Sequence, residues 1–194
     1  RLERLALTAD KNPPVLHIRA RNGAPADHIE KHPAYEALED VAFGQFGLAA
    51  MSHRPGVFGI DTKLPPLVKY ALVYLFVQAE FGLCCPLSMT DSLTRTLVKF
   101  GSDDLIAQYF DQLTSQNMDE LFQGAMFMTE QIAGSDVGAI DTIARQENGE
   151  WKLYGDKWFC SNPDAALAMV LARPEGGDAG TRGLTLFLLP RNLP

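Results

Sequence analysis

The spacing of apolar residues changes near Leu121, and this change limits the chain to two structurally different parts. Before it, apolar residues recur at helical intervals, as in the series Tyr35, Leu38, Val41, Ala42 and Phe46. After it, apolar and polar residues alternate over short segments, which is the pattern of half-buried strands. The sequence therefore predicts an α+β protein, with an all-α helical domain over residues 1–122 and a β domain over residues 123–194.

Prolines and capping residues predict where the helices of the first part begin. Pro33 and the pair Pro65-Pro66 suit the first turn of a helix, where a missing N–H costs nothing. Ser102, followed by two aspartates, predicts the start of another helix. The segment Asp10–Asp27 contains a Pro-Pro pair and lacks helical spacing, so we expect it to be extended or a loop.

The second part reads as a succession of short strands. Asn148-Gly149 is a strong two-residue turn signal and predicts a hairpin between Asp141–Gln146 and Trp151–Tyr154. Other strand-length segments are Ala125–Thr129, Lys157–Cys160, Leu167–Ala172 and Leu184–Leu189. Because no helix-length run separates them, we expect an antiparallel β-barrel, or a sandwich, whose last strands lie beyond the chain.

The most apolar stretch, Leu64–Leu87, is interrupted by two charged residues. Its uncharged run Tyr70–Ala79 is too short to span a bilayer, so it predicts a buried helix and no membrane span. The chain lacks a starting Met and ends directly after a strand-like segment, and we therefore expect it to be a fragment of a longer protein.

The charge and the cysteines argue against several functional classes. The 194 residues are 46% hydrophobic, which indicates a folded domain rather than disorder. A formal net charge of −7 disfavours direct binding of nucleic acid or anionic lipid. Cys84, Cys85 and Cys160 have no C-x-x-C spacing and indicate neither a disulfide framework nor a zinc site. We expect a reducing compartment, the cytoplasm.

The two histidines at positions 28 and 32 are four residues apart and could share a metal if they lay on one helix. The zinc-protease pattern requires glutamate directly after the first histidine, where this chain has Ile29. Pro33 also disfavours helix at His32. We therefore expect exposed loop histidines and no metal site. Neither a G-x-G-x-x-G motif nor a P-loop occurs, so a Rossmann or P-loop nucleotide site is unsupported.

Two stretches of the β part carry residues suited to a ligand. In the first, Met126–Asp136, an apolar strand runs into a loop that contains Gly134 and Ser135. Such loops can present backbone N–H groups to an anion, although a glycine-containing turn capped by aspartate explains the same residues. In the second, Gly155–Asn162, strand alternation would place Trp158 and Cys160 on one face and Phe159 and Ser161 on the other. Composition alone favours a core aromatic pair in this stretch.

The two stretches together resemble the flavin-binding signature of the acyl-CoA dehydrogenases. Met-Thr-Glu-x-x-Ala-Gly-Ser-Asp occupies residues 128–136, and Gly-x-Lys-Trp-Phe-x-Ser occupies residues 155–161. The order of the pair is far more specific than either half. The Trp-Phe-Cys-Ser form, with the early Asn-Pro-Pro and His-Pro-Ala-Tyr runs, is similar to the alkylation-response branch, which includes the bacterial adaptive-response flavoproteins. The resemblance implies a helical N-terminal domain, a β-barrel middle domain and a further helical domain absent from this chain.

The resemblance also assigns a cofactor site for FAD by position in the motifs. Met128 and Thr129 match positions that contact the isoalloxazine, with Thr129 at its pyrimidine side. Gly134 and Ser135 match the loop at the pyrophosphate and at the acyl-CoA entrance, so Ser135 is also implied in substrate binding. The full implied set for FAD is Met126, Phe127, Met128, Thr129, Gly134, Ser135, Phe159, Cys160 and Ser161.

Within that set, Phe159 takes the position where most members place tryptophan against the ring, and Ser161 takes the hydroxyl position that faces flavin N5. The catalytic base of the family is a carboxylate of the C-terminal domain, so no catalytic residue is implied here. Glu130 and Asp136 belong to the signature loop and are not assigned as that base.

The resemblance implies an oxidoreductase that carries out α,β-dehydrogenation of an acyl-CoA thioester, with hydride transfer to flavin N5. Two alternatives are a DNA-associated, protective alkylation-response flavoprotein with weak dehydrogenase activity, and a flavin-free interaction module that keeps the fold. The implied partners are the acyl-CoA substrate, an electron-acceptor flavoprotein or other acceptor, and further copies in a homo-oligomer, a tetramer. DNA would bind only through the C-terminal domain.

Overall fold

A computed structural model describes residues 2–192, and the chain divides into two compact units, Arg1–Gln123 and Gly124–Pro194. The first unit is mainly helical. Its α-helices are α1 Leu2–Asp10, α2 Pro33–Glu39, α3 Pro66–Val77, α4 Cys84–Phe100 and α5 Asp103–Leu113, and a π-helical turn, Asp40–Gln45, continues α2.

The helices begin where the prolines and caps predict. Pro33 and Pro66 each stand at the first turn of their helix. The Ser102 side chain accepts a hydrogen bond from the Leu105 N–H at 3.3 Å and caps α5. These local signals are confirmed because a helix start depends mainly on residues within one turn.

The first unit also contains a two-stranded antiparallel hairpin, so the prediction of an all-α domain is wrong in this respect. Strand β1, Val15–Arg19, pairs with β2, Pro25–Glu30. Gly23, at φ 85°, supplies the left-handed backbone of the turn between them, and the Ala20 N–H donates to the Ala24 carbonyl at 2.8 Å. The expectation of an extended segment here holds for the two strands.

The apolar helix α3 is not the buried helix that its composition predicts. Leu67, Tyr74 and Leu75 are 83%, 68% and 62% exposed, whereas the charged Lys69 is buried. A helix buries the face that packs against its neighbours, and on α3 that face carries Lys69, whose Nζ lies 2.6 Å from Asp91 of α4. Over residues 2–192 the structure contains no helix with both the length and the apolarity needed to traverse a bilayer.

The core of the first unit lies around α2, the π-helical turn and the loop that follows it. Its largest fully buried side chains include Leu38, Phe43, Leu48 and Met51. Burying large aliphatic and aromatic side chains contributes about 1.5–3 kcal/mol each relative to exposure, so this cluster supplies much of the unit's stability.

The second unit is a single five-stranded sheet. Its strands are β3 Gly124–Phe127, β4 Ile143–Glu147, β5 Glu150–Tyr154, β6 Leu167–Pro174 and β7 Thr185–Pro190. The hairpin at Asn148-Gly149 is confirmed, because these two residues have φ 53° and 85° and join the antiparallel pair β4 and β5. A small core beneath the sheet contains Ala125, Ala165, Ala168 and Val170.

The sheet is mixed and, over the described strands, open, so the prediction of a purely antiparallel barrel is wrong. Strand β6 pairs in parallel with β3 along one edge and with β4 near its end, and antiparallel with β7. Two strands can pair in parallel only if the chain between them crosses back to the end of the sheet where the first strand began. The segments between β3 and β4 and between β5 and β6 are long enough for this. Alternation along a strand carries no information about the direction of its neighbour, and the sequence pattern therefore could not show this topology.

Candidate functional site

The two stretches that the sequence singles out lie side by side in the second unit. The Trp158 N–H donates to the Thr129 carbonyl oxygen at 2.8 Å. The Lys157 Nζ donates to the Met128 carbonyl oxygen at 3.2 Å. The end of β3 and the segment 155–161 therefore form one continuous surface, although 27 residues separate Lys157 from Glu130 along the chain.

The first stretch forms a tight turn after β3. Glu130 and Ala133 exchange two backbone hydrogen bonds, at 3.0 and 3.1 Å, which leaves Gln131 and Ile132 at the tip. Asp136 accepts a hydrogen bond from the Gly138 N–H at 3.0 Å, so the aspartate-capped turn is present. Gly134 and Ser135 are exposed between these turns, and a side chain added at Gly134 would meet no atom within 4 Å. The loop therefore leaves its backbone open to a ligand.

The second stretch is not a strand, so the prediction of a strand over Lys157–Cys160 and of alternating faces is wrong. Phe159 and Asn162 have φ 55° and 56°, which extended backbone cannot accommodate. The segment starts at Gly155, where a Cβ would lie 2.6 Å from Thr142 Oγ1 and 2.8 Å from Thr142 Cα. Only glycine allows the chain to pass Thr142 this closely and then turn.

The aromatic residues of the second stretch lie at the surface. Trp158 and Phe159 meet edge to face with ring centroids 5.9 Å apart, yet they are 49% and 82% exposed. The interpretation of a core aromatic pair is therefore wrong. A non-glycine residue held at positive φ costs about 1–3 kcal/mol, and Phe159 recovers little of it by burial. This combination is typical of a residue placed for a partner, and it fits a flat aromatic ligand.

The remaining residues of the predicted set differ in exposure. Met126 and Phe127 lie half-buried on β3, where Phe127 packs against the core of the sheet. Met128 is 40% exposed where the strand ends. Ser161 is exposed, and its N–H donates to the Phe159 carbonyl at 3.1 Å. Burial raises the pKa of the Cys160 thiol, an effect that Lys157 opposes, so this thiol is not activated as a nucleophile.

The buried Glu130 makes contacts that the sequence did not reveal. It is 5% exposed and accepts hydrogen bonds from the Asp141 N–H at 2.6 Å, the Thr142 N–H at 3.1 Å and the Thr142 hydroxyl. Its fourth donor is Lys157 Nζ at 2.7 Å. Burial raises the pKa of this carboxyl, but the hydrogen bonds from Lys157 and Thr142 outweigh it and hold the pKa at about 2.

A carboxylate held in this way is ionised at neutral pH and is a poor proton acceptor, in agreement with its exclusion as the catalytic base. Glu130 belongs to the first motif and Lys157 to the second, but the sequence around each residue does not show that the two are partners.

An open cleft of about 570 Å³ is lined by residues of both stretches and by Asp141. It is lined by Glu130, Gln131, Ile132, Asp141, Gly155, Asp156, Lys157 and Trp158. This lining contains none of the residues that the resemblance assigns to FAD. The candidate FAD site is therefore the exposed surface formed by the assigned residues of the two stretches rather than the cleft.

The histidines lie in the first unit and serve local structure. His28 is on β2 and stacks on His17, with ring centroids 6.2 Å apart. The His32 Nδ1 accepts a hydrogen bond from the Ala34 N–H at 3.1 Å and caps α2. The two residues thus belong to a strand and to a helix cap, and they do not share a helix face. Among residues 2–192 no group of three potential ligands is arranged to hold a metal ion.

A second cluster of buried charge also lies in the first unit. Asp91 Oδ1 is 2.7 Å from His53 Nε2 and 2.6 Å from Lys69 Nζ, and Arg95 Nη2 lies 3.8 Å from its other oxygen. Burial raises the pKa of Asp91, but His53 and Lys69 outweigh this and lower it below its ordinary value. The cluster joins α3 to α4 and to the loop that carries His53.

Comparisons with known proteins add evidence that is independent of this geometry. Residues 1–120 match the family model of the adaptive response protein AidB N-terminal domain, and residues 125–194 match that of the acyl-CoA dehydrogenase middle domain. The chain belongs to the acyl-CoA dehydrogenase family. Its first match puts it in the alkylation-response branch, so the resemblance seen in the motifs is confirmed for an N-terminal and a middle domain.

Relatives of this family match nearly the whole chain but are much longer. The putative acyl-CoA dehydrogenase AidB of Escherichia coli (strain K12) is 31% identical over 98% of this chain and 35% of its own length. The solved structure titled Bd2924 apo-form is 31% identical, with a TM-score of 0.85, over 98% of this chain and 38% of that one. Caenorhabditis elegans ACDH-11 in complex with C11-CoA is 29% identical, with a TM-score of 0.83, over 98% of this chain and 33% of that one.

Proposed function

We propose that this chain forms the N-terminal and middle domains of an FAD-dependent acyl-CoA dehydrogenase that carries out α,β-dehydrogenation of an acyl-CoA thioester. The observation that carries this proposal is the direct bonding of the two motif stretches through Trp158 and Thr129, with Phe159 and Gly134 exposed beside them. Family membership supports the reaction class, and the C11-CoA complex of ACDH-11 supports the substrate class.

The site residues would divide the work of holding the cofactor. Met128 and Phe159 offer exposed apolar surface for packing against a flat ring. Thr129 and Ser161 carry hydroxyls for hydrogen bonds to the ring edge, and the exposed loop at Gly134 and Ser135 offers backbone N–H groups to a pyrophosphate. Met126, Phe127 and Cys160 support these positions from the strand and the turn. FAD, when bound, would supply the hydride acceptor at N5.

The substrate and the partners of the intact protein are also part of the proposal. Ser135 would lie at the entrance for acyl-CoA, and the proton would be removed by a carboxylate outside this chain. We further propose an electron-acceptor flavoprotein or other acceptor, assembly as a homo-oligomer, a tetramer, and a cytoplasmic location. The chain spans 35% of the length of its Escherichia coli relative, so these properties belong to a longer protein.

Cofactor content and turnover of the intact protein test this function. We expect stoichiometric FAD, seen by its absorbance, and reduction of that flavin by acyl-CoA thioesters. In the isolated chain of 194 residues we expect weak FAD binding and no dehydrogenation, because the base and part of the cofactor's contacts would be missing. Intact protein that folds without flavin would contradict the proposal. Flavin without reduction by any acyl-CoA would contradict the reaction.

A further inference from the structure

The buried side chain of Glu130 connects three separate segments of the second unit. Its donors come from the two residues that precede β4, Asp141 and Thr142, and from the second motif stretch, through Lys157. Its own backbone closes the first motif turn by hydrogen bonds with Ala133. One carboxylate therefore fixes the turn after β3 against both of its neighbours.

Lys157 makes the connection between the two motif stretches. Its Nζ lies 2.7 Å from Glu130 Oε1 and 3.2 Å from the Met128 carbonyl oxygen, and the amine is largely buried. The next residue, Trp158, donates its N–H to Thr129. Three consecutive residues of the first stretch are thus bonded to two consecutive residues of the second.

These contacts matter because no regular strand holds the second stretch. In the described part of the chain, residues 155–161 belong to no strand and include the strained Phe159. A further tie, from Asn162 Nδ2 to the Gly124 carbonyl at 3.2 Å, comes only after Phe159 and Ser161. The direction in which Phe159 and Ser161 are presented therefore depends on the anchor that precedes them, Lys157.

We propose that the Lys157–Glu130 ion pair is a positioning device for the flavin, which sets the placement of Phe159 and Ser161 relative to Met128 and Thr129. The proposal rests on the proposed function, because it assigns these four residues to the cofactor. Lys157 and Glu130 are positioning residues that act through their neighbours. Glu130 takes part as a permanent anion and exchanges no proton in the reaction.

A purely structural role would make the same residues important, so the test must separate stability from positioning. Lys157→Met removes the amine but leaves Glu130 as a buried, unpaired charge, which lowers stability strongly. The double variant Lys157→Met with Glu130→Gln removes both charges and relieves that penalty. Neither variant restores the bond to the Met128 carbonyl, because methionine has no donor.

The first unit provides a matched control. Lys69 is also a buried amine, 2.6 Å from a carboxylate, and it belongs to the helical unit. Lys69→Met should lower the melting temperature in the same way, without touching either motif stretch. Comparing the two lysine variants shows whether loss of a buried ion pair is by itself enough to weaken flavin binding.

The experiment measures three quantities in the intact protein and its variants: the melting temperature, the FAD dissociation constant by fluorescence titration, and hydrogen exchange of the 128–135 and 155–161 amides without FAD. We expect Lys157→Met to raise the dissociation constant about tenfold or more, since about 1.4 kcal/mol of lost bonding corresponds to tenfold. The double variant should regain melting temperature but not affinity, and its Trp158 amide should exchange faster than in wild type. Lys69→Met should lose melting temperature only.

Recovery of FAD affinity together with stability in the double variant would overturn the positioning role and leave the proposed function intact. An unchanged dissociation constant in Lys157→Met, with a melting temperature lowered as in Lys69→Met, would overturn it equally. Wild-type protein that folds but binds no FAD would overturn the proposed function, and the positioning role with it.

Discussion

Each of the two units buries a lysine beside a carboxylate, but the two pairs hold different kinds of structure. Lys69 and Asp91 connect two regular helices, α3 and α4, each of which has its own backbone hydrogen bonds. Lys157 and Glu130 connect two irregular segments, neither of which is held by the backbone hydrogen bonds of paired strands. The first pair therefore stabilises elements that already exist, whereas the second defines the shape of the segments it joins.

The two carboxylates also differ in what satisfies them. Asp91 faces basic side chains, with His53 Nε2 and Lys69 Nζ on the same oxygen. Glu130 receives two backbone N–H groups and a hydroxyl besides its lysine. Backbone donors are fixed in direction, so Glu130 imposes a geometry as well as a charge balance. A buried ion pair can thus act mainly on stability or also on shape, depending on its other partners.

The largest expected effect lies in the helical unit and would sharpen this contrast. Asp91→Ala leaves a buried amine without its counter-ion and His53 without its acceptor, so we expect the unfolding free energy to fall by about 3–5 kcal/mol. Denaturant unfolding followed by circular dichroism measures it. Flavin content per folded molecule should stay at the wild-type level in the intact protein. Loss of flavin from Asp91→Ala protein that keeps wild-type stability would contradict the difference drawn here between the two ion pairs.

The pH dependence of stability isolates Glu130. Its pKa is about 2 in the folded protein and 4.5 ordinarily, so its stabilisation is complete above pH 4.5 and is lost as the pH falls toward 2. The loss should approach about 3 kcal/mol. Unfolding free energies from about pH 7 down to about pH 3 should decline less steeply in Glu130→Gln than in wild type. Parallel curves would show that Glu130 titrates normally.

Local signals in the sequence predicted helix starts and turns well. Pro33, Pro66 and Ser102 begin helices, and Asn148-Gly149 forms the hairpin, because each depends on residues within one turn. The sheet direction was not predictable, since β3 and β6 pair in parallel across 43 residues of sequence, from Gly124 to Leu167. The burial of Lys69 on α3 was likewise not predictable, since its partner Asp91 lies on another helix.

The sequence singled out the two stretches of the candidate site but not their geometry. Two motifs indicated a flavin-binding surface, and the structure brings Thr129 and Trp158 into direct contact. Strand alternation gave the wrong faces for Trp158 and Cys160, because the positive φ of Phe159 ends any extended conformation. The anchoring roles of Glu130 and Lys157 also needed the structure, since pairing over 27 residues leaves no local trace.

Substituting the two glycines of the motif stretches should have smaller effects, on stability at Gly155 and on FAD binding at Gly134. Gly155→Ala would force a Cβ against Thr142 at 2.6 Å, so we expect a destabilisation of about 1–3 kcal/mol. Gly134→Ala places its methyl in open space and should change the unfolding free energy by less than about 0.5 kcal/mol. In the intact protein it should still weaken FAD binding, because the added methyl keeps a ligand from the backbone. Equal melting temperatures for the two variants would contradict this contrast.

The smallest expected effect concerns the histidines. His32→Ala removes the cap of α2 and should cost about 1 kcal/mol of unfolding free energy, whereas His28→Ala should cost less. Neither variant should change flavin content or activity of the intact protein. A metal-dependent change in stability that either substitution abolished would contradict the local structural roles given to these residues.

We propose that residues 128–135 and 159–161 form the flavin site. The FAD dissociation constants of Phe159→Ala and Ser161→Ala in the intact protein test this assignment. Both side chains are exposed, so both variants should keep the wild-type melting temperature of the flavin-free protein. We expect weaker FAD binding in each, slower flavin reduction in Ser161→Ala, and near-normal binding in Phe159→Trp. Full flavin affinity and an unchanged reduction rate in well-folded Phe159→Ala and Ser161→Ala would contradict this assignment of the flavin site.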